Sequence, residues 1–96
     1  MHDVWLIHYP EGSYIPPHID EVDRYRHYRL NIVLREAVEG GDFEPSGLMQ
    51  PFINTRRVKF FRPDRIVHGV KKIVKGTRLV LSIGWALKKK RPGPPW

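Results

Sequence analysis

No stretch of this 96-residue chain carries an apolar period of 3.6 residues long enough to define a helix, whereas glycine and proline turn signals recur along its length. Such a chain is restricted to short extended segments joined by tight turns. Residues 4–9 read as a first strand, closed by Pro10, Glu11 and Gly12. Residues 14–20 read as a second extended segment, in which Pro16 and Pro17 remove two ladder donors and force an irregular or edge position. Residues 21–27 are densely charged and read as a surface loop. A third strand is expected over 28–35, rich in Leu, Ile and Val, with helix as its alternative. Further strands are expected over 42–44, between the Gly40-Gly41 turn and the breaker Pro45-Ser46-Gly47, over 57–61 before Pro63-Asp64, over 66–70, and over 77–87 after Lys75-Gly76, with a small one at 52–54. Seven or eight short antiparallel strands predict an all-β fold, a small sandwich or barrel, with the jelly roll of the cupins among the candidates.

The length suits one domain, and 41% hydrophobic residues is ordinary for a globular chain. A domain this small buries a modest share of its surface, so a bound metal, ligand or partner is expected to contribute to its stability. The absence of cysteine excludes disulfides, thiolate zinc sites and cysteine nucleophiles, leaving His, Asp and Glu to hold a metal. The apolar run near the N-terminus is too short for a secretory signal and no other run reaches membrane-spanning length, so a soluble, cytoplasmic protein is expected. Four of the seven net positive charges come from Lys88, Lys89, Lys90 and Arg91, which leaves the rest of the chain only mildly basic. The organisation expected is a barrel over 1–87 and a basic, proline-rich tail over 88–96, either simply solvated or making a weak, salt-sensitive contact with nucleic acid or another polyanion.

Within an extended segment alternate side chains share a face, so His18 and Asp20 can enter one cavity and form a two-ligand metal claw. One further imidazole would complete one face of an octahedron and leave three positions open. His68, in an expected strand after a Pro-Asp turn, is the natural third ligand. His2 near the terminus, His27 in the charged segment and His8 on the first strand are weaker candidates. Arg78 follows His68 by ten residues, just inside the last strand, and Ser82 should share its face. A buried guanidinium needs an anion, and its paired donors fit a carboxylate, such as the far end of a dicarboxylic keto acid that chelates the metal through its other end.

The ordered series Tyr9-Pro10-Glu11-Gly12, His18-Ile19-Asp20, the strand over 29–34, Gly40-Gly41-Asp42-Phe43, Val58-Lys59-Phe60-Phe61, His68-Gly69-Val70 and Gly76-Thr77-Arg78 resembles the iron(II)- and 2-oxoglutarate-dependent oxygenases, particularly their prolyl-hydroxylase-like branch. The resemblance spans nearly the whole chain. It implies a double-stranded β-helix in which His18, Asp20 and His68 bind Fe(II) and Arg78 grips the distal carboxylate of 2-oxoglutarate. It also implies oxidative decarboxylation to succinate and carbon dioxide, with O2 as the other cosubstrate, coupled to hydroxylation of a substrate C–H bond. Tyr9 looks like the tyrosine lining the cosubstrate pocket, Asn31 or Val33 should face the cavity, and Ser82 could add a hydrogen bond.

Two features depart from that pattern. An aromatic often stands six residues after the arginine, where this chain has Gly84 with Trp85 following; a bulge there would restore the aromatic's direction, and otherwise the pocket is wider. The chain also begins at the first barrel strand without the helices that usually cover the major sheet. An exposed apolar sheet face is therefore expected, and with it a fragment, weak self-association into a homo-oligomer, or a partner supplying the missing layer. The expected substrate is a protein or peptide side chain such as proline. An oxygenase of nucleobases or small molecules and a non-catalytic metal-binding barrel are the alternatives, whereas a nucleic-acid-binding domain lacks a recognition helix or stacking motif. The substrate-selecting loops would be 21–27 and 45–55.

Overall fold

In a computed structural model of the chain, residues 2–20, 25–47 and 49–88 are described. The segment 21–24 and all but the first residue of the expected tail, 89–96, lie outside them. Every regular element among the described residues is a strand, and no helix there is long and apolar enough to cross a membrane.

Among the described residues ten strands form three antiparallel sheets. β1 (His2–Tyr9), β10 (Arg78–Lys88), β3 (Tyr25–Arg35), β7 (Val58–Phe61) and β6 (Ile53–Asn54) build the largest, in the order β1-β10-β3-β7-β6. β2 (Ile15–His18), β8 (Val67–Val70) and β5 (Phe43–Ser46) form a second sheet, while β4 (Glu39–Gly40) pairs with β9 (Ile73–Lys75). Along the chain β1, β3, β7 and β10 belong to the large sheet, and β2, β5 and β8 are interleaved between them in the smaller one. Residues distant in sequence are thereby brought opposite one another, and the first strand pairs with the last.

The central strand β10 shows why the chain folds this way. Arg78, Val80, Ser82 and Gly84 are buried, and the residues between them face outward, the period-two pattern of a strand with one wet and one covered face. Its partners follow suit: Tyr9 lies opposite Arg78, Asn31 opposite Ser82, and Arg29 opposite Gly84. A register shift between Leu79 and Val80 leaves Leu34 as an extra residue in β3. Phe61 on the large sheet and Phe43 on the smaller one meet with ring centroids 4.8 Å apart, and with Val33, Val70 and Val80 they form the apolar interior.

Several boundaries differ from the sequence expectation. The charged segment contributes Tyr25, Arg26 and His27 to β3, because β10 continues to Lys88 and supplies each with a ladder partner. Pro45 does not break β5: it is paired with His68, on an outer strand of its sheet where a missing donor is tolerated. Three-residue β9 carries no periodic signal, and Gly40, read as part of a turn, lies in β4 with φ +82°. Gly41 needs its φ of +77° and its missing side chain, since a Cβ there would lie 2.5 Å from Ile73 Cδ1.

On its other face the large sheet is apolar and open: Val4, Leu6, Trp85 and Leu87 are exposed, and Tyr28, Phe60, Trp85 and Leu87 line an entirely apolar groove.

Gly69 of β8 is packed tightly against the backbone of β2. A Cβ on it would lie 2.7 Å from the Ile15 carbonyl oxygen and 3.1 Å from Pro17 N, both backbone atoms that cannot swing aside. Gly69→Ala is therefore expected to destabilise the fold by about 1–3 kcal/mol, read as a lowered midpoint in thermal unfolding followed by circular dichroism.

Candidate metal centre

The pairing of β2 with β8 sets His18 directly opposite His68. Their ring centroids are 4.4 Å apart. Asp20 lies beyond the end of β2 rather than within a strand, and its placement comes from its backbone N–H, which donates to the Pro63 carbonyl at 2.8 Å. The potential ligand atoms of His18, Asp20 and His68 all fall within 4.8 Å of one another. His18 Nε2 is 3.2 Å from Asp20 Oδ1, and His68 Nε2 is 3.5 Å from Asp20 Oδ2.

Both rings are oriented in the same way. His18 Nδ1 lies 2.9 Å from the Pro16 carbonyl and His68 Nδ1 lies 2.7 Å from the Ile66 carbonyl. A carbonyl can only accept, so each Nδ1 carries a proton and each Nε2 is turned toward the Asp20 carboxylate. Burial holds His68 below its ordinary pKa, only partly offset by the Ile66 hydrogen bond, which keeps the ring neutral and able to ligate. Two imidazole nitrogens and a carboxylate oxygen are the donor set of a divalent transition metal, so this group can hold a metal ion. His2, His8 and His27 are not part of it.

The three residues open into a cavity of about 280 Å³ shared by both main sheets and lined also by Tyr9, Asn31, Arg78 and Ser82. Arg78 is 5% exposed, and its guanidinium lies 5.1 Å from the centre of the Tyr9 ring, a cation–π contact. No carboxylate among the described residues forms an ion pair with it. Burial lowers its pKa, partly countered by Tyr9, and burial raises that of Tyr9. A buried cation without a carboxylate in contact is costly, and an anion at this end of the cavity would offset that cost. Ser82, fully buried, donates to Asn31 Oδ1 at 2.5 Å, so Asn31 faces inward; Val33, two residues on, is buried too.

The outcome at Gly84 differs from the restored aromatic considered above. The alternation of β10 runs unbroken from Val80 to Gly84, so Gly84 faces inward and Trp85 packs outward, edge-on to Phe60. Arg29 fills the space instead. Two further residues escaped the sequence reading. Lys59 lies opposite Asn31 and lines, with Arg78, a neighbouring cleft of about 430 Å³; Trp5, itself largely exposed, borders the cavity of the candidate ligands from β1. The register of β3 was the missing signal: once Asn31 faces inward, Arg29 and the residue opposite each must do so as well.

A scan of family models and a search of curated proteins return no match to the chain.

The turn that places Asp20 depends on Arg62 and Asp64, a largely buried ion pair with Nη2 2.6 Å from Oδ2. Arg62 also lies over the Tyr28 ring at 5.4 Å, and its carbonyl accepts from the N–H groups of Arg65 and Ile66. Burial alone would raise the Asp64 pKa, but hydrogen bonds from Arg62 and the His27 backbone outweigh it, and the net shift is downward from 3.8. A depressed carboxyl gives stability that is complete above its unfolded value and drains away as pH falls through the folded one. The midpoint of thermal unfolding is therefore expected to drop as pH goes below about 4. Asp64→Asn should cost about 3 kcal/mol at neutral pH, because it leaves Arg62 unpaired. It should also flatten the acid dependence and weaken metal binding about tenfold by loosening the carbonyl that holds Asp20.

Proposed function

We propose that the chain is an Fe(II)- and 2-oxoglutarate-dependent dioxygenase that hydroxylates a substrate C–H bond, built on a double-stranded β-helix. The observation that carries this reading is the juxtaposition, in one cavity, of a His-Asp-His ligand group and a buried arginine with no carboxylate partner. Strands alternating between two sheets, with the first paired to the last, support the β-helix reading.

Iron(II) held by His18, Asp20 and His68 would supply the redox chemistry by which 2-oxoglutarate and dioxygen become succinate, carbon dioxide and a hydroxylated product. The remaining work falls to the protein. Three ligands from one side leave positions open for small molecules, and the carbonyls of Pro16 and Ile66 keep the rings from turning away. Arg78 receives the distal carboxylate of 2-oxoglutarate, and stacking on Tyr9 fixes the plane of its fork. Ser82 and Asn31 supply polar contacts on the same wall, and Ile7, Phe61 and Val70 restrict water.

Anaerobic titration of the iron(II)-loaded protein with 2-oxoglutarate tests this through the visible charge-transfer band of the chelate. The wild type should develop the band, His68→Ala should not, and Arg78→Ala should need at least about tenfold more 2-oxoglutarate. A folded, iron-loaded wild type that gives no band contradicts the proposal.

A further inference from the structure

The inward glycine of β10 leaves room that another residue uses. A Cβ on Gly84 would lie 2.4 Å from Arg29 Nη2, 2.8 Å from Arg29 Cζ and 2.9 Å from Asp3 Oδ1, so the missing side chain is what admits this arginine to the cavity. Arg29 Nη1 donates to Ser82 Oγ at 2.7 Å. Nη2 donates to Asp3 Oδ1 at 3.0 Å and Oδ2 at 3.2 Å, and lies 3.3 Å from His27 Nε2. Asp3 is thus held through one terminal nitrogen and not across the fork. Nε and the other Nη1 hydrogen have no partner among the described residues. The Arg29 side chain is 17% exposed and that of Asp3 44%, so the arginine is fixed in the wall while its counter-ion borders solvent.

Arg29 and Arg78 enter the cavity from different strands. The Arg29 guanidinium is tied to Ser82, which stands four residues along β10 from Arg78, about 13 Å of strand. Arg29 lines the cavity together with His18, Asp20 and His68.

We propose that Arg29 is a second anion-binding residue of the cavity, which takes a carboxylate of the molecule to be oxidised, and that Asp3 occupies it until that carboxylate displaces it. The substrate class is accordingly a carboxylate-bearing molecule or side chain. The proposal rests on the reading of Arg78 as the 2-oxoglutarate anchor. Arg29 is suited to the role because its planar fork is held by Ser82 before a ligand arrives. The carboxylate of Asp3 already shows the kind of group the site accepts.

The test uses the full chain loaded with manganese(II) in two calorimetric titrations. The first adds 2-oxoglutarate. The second, on the 2-oxoglutarate-saturated protein, adds N-acetyl-L-alanine, its neutral amide, or inorganic phosphate as probes. The acid is expected to bind at least about tenfold more tightly than the amide. Arg29→Gln should remove that preference while 2-oxoglutarate affinity stays within about threefold, and Asp3→Asn should strengthen binding of the acid several-fold by removing the internal competitor. A gain of affinity in Asp3→Asn cannot come from a folding defect. Equal binding of acid and amide, unchanged binding of the acid by Arg29→Gln, or weakened binding in Asp3→Asn would each overturn the proposal. Phosphate binding more tightly than the acid would overturn the carboxylate class. Failure of 2-oxoglutarate to bind the wild type in the first titration would instead remove the reading beneath it.

Discussion

The contact on which the rest of the site depends is the antiparallel pairing of β2 with β8. It places His18 opposite His68 across fifty residues of sequence, and it is possible only because Gly69 lets the backbone of Ile15 and Pro17 come close. The same two segments orient the rings, since the acceptors of both Nδ1 protons are carbonyls two residues upstream of each histidine. Orientation therefore comes with the strands themselves and needs no separate set of side chains. Asp20 is added from outside the ladder by a single backbone hydrogen bond to Pro63, and the buried Arg62–Asp64 pair fixes the turn that presents that carbonyl.

The interior around this centre is unusually polar for a small domain. Arg78, Ser82 and His68 are buried, and Arg29 and Asn31 face the same space. Arg29, Ser82 and Asn31 form one hydrogen-bonded chain, and Arg78 lies over Tyr9. Burying charge reduces the stability that the apolar residues Phe61, Val80 and Ile73 supply. In this chain the cost coincides with the cavity, the pattern expected when polarity serves a ligand rather than the fold. The opposite face of the large sheet carries the reverse imbalance, apolar side chains left in contact with solvent.

Much of this was legible in the residues. Turn signals and β-branched runs located most of the strands, and the His18, Asp20, His68 and Arg78 series named the residues that the fold brings to one cavity. Three things were not. Short β4 and β9 have too few residues for any periodicity, and their pairing depends on positive φ at Gly40 and on contacts supplied by the tertiary fold. The entry of Tyr25–His27 into β3 is dictated by the length of β10, not by their own charged composition. Gly84 was read as the site of a bulge restoring the aromatic or else of a wider pocket, because the register of β3 was open; with Arg29 set opposite, the glycine accommodates a large cation from the neighbouring strand.

The central claim is that one cavity holds a metal at His18, Asp20 and His68 and a dicarboxylate anchored at Arg78. The most direct test is a crystal structure of the protein grown anaerobically with manganese(II) and 2-oxoglutarate, with the metal located by anomalous scattering. The account predicts one strong peak coordinated by His18, Asp20 and His68, and electron density for 2-oxoglutarate running from that peak to the Arg78 guanidinium. A metal bound elsewhere, or a 2-oxoglutarate that reaches the triad without touching Arg78, would contradict it.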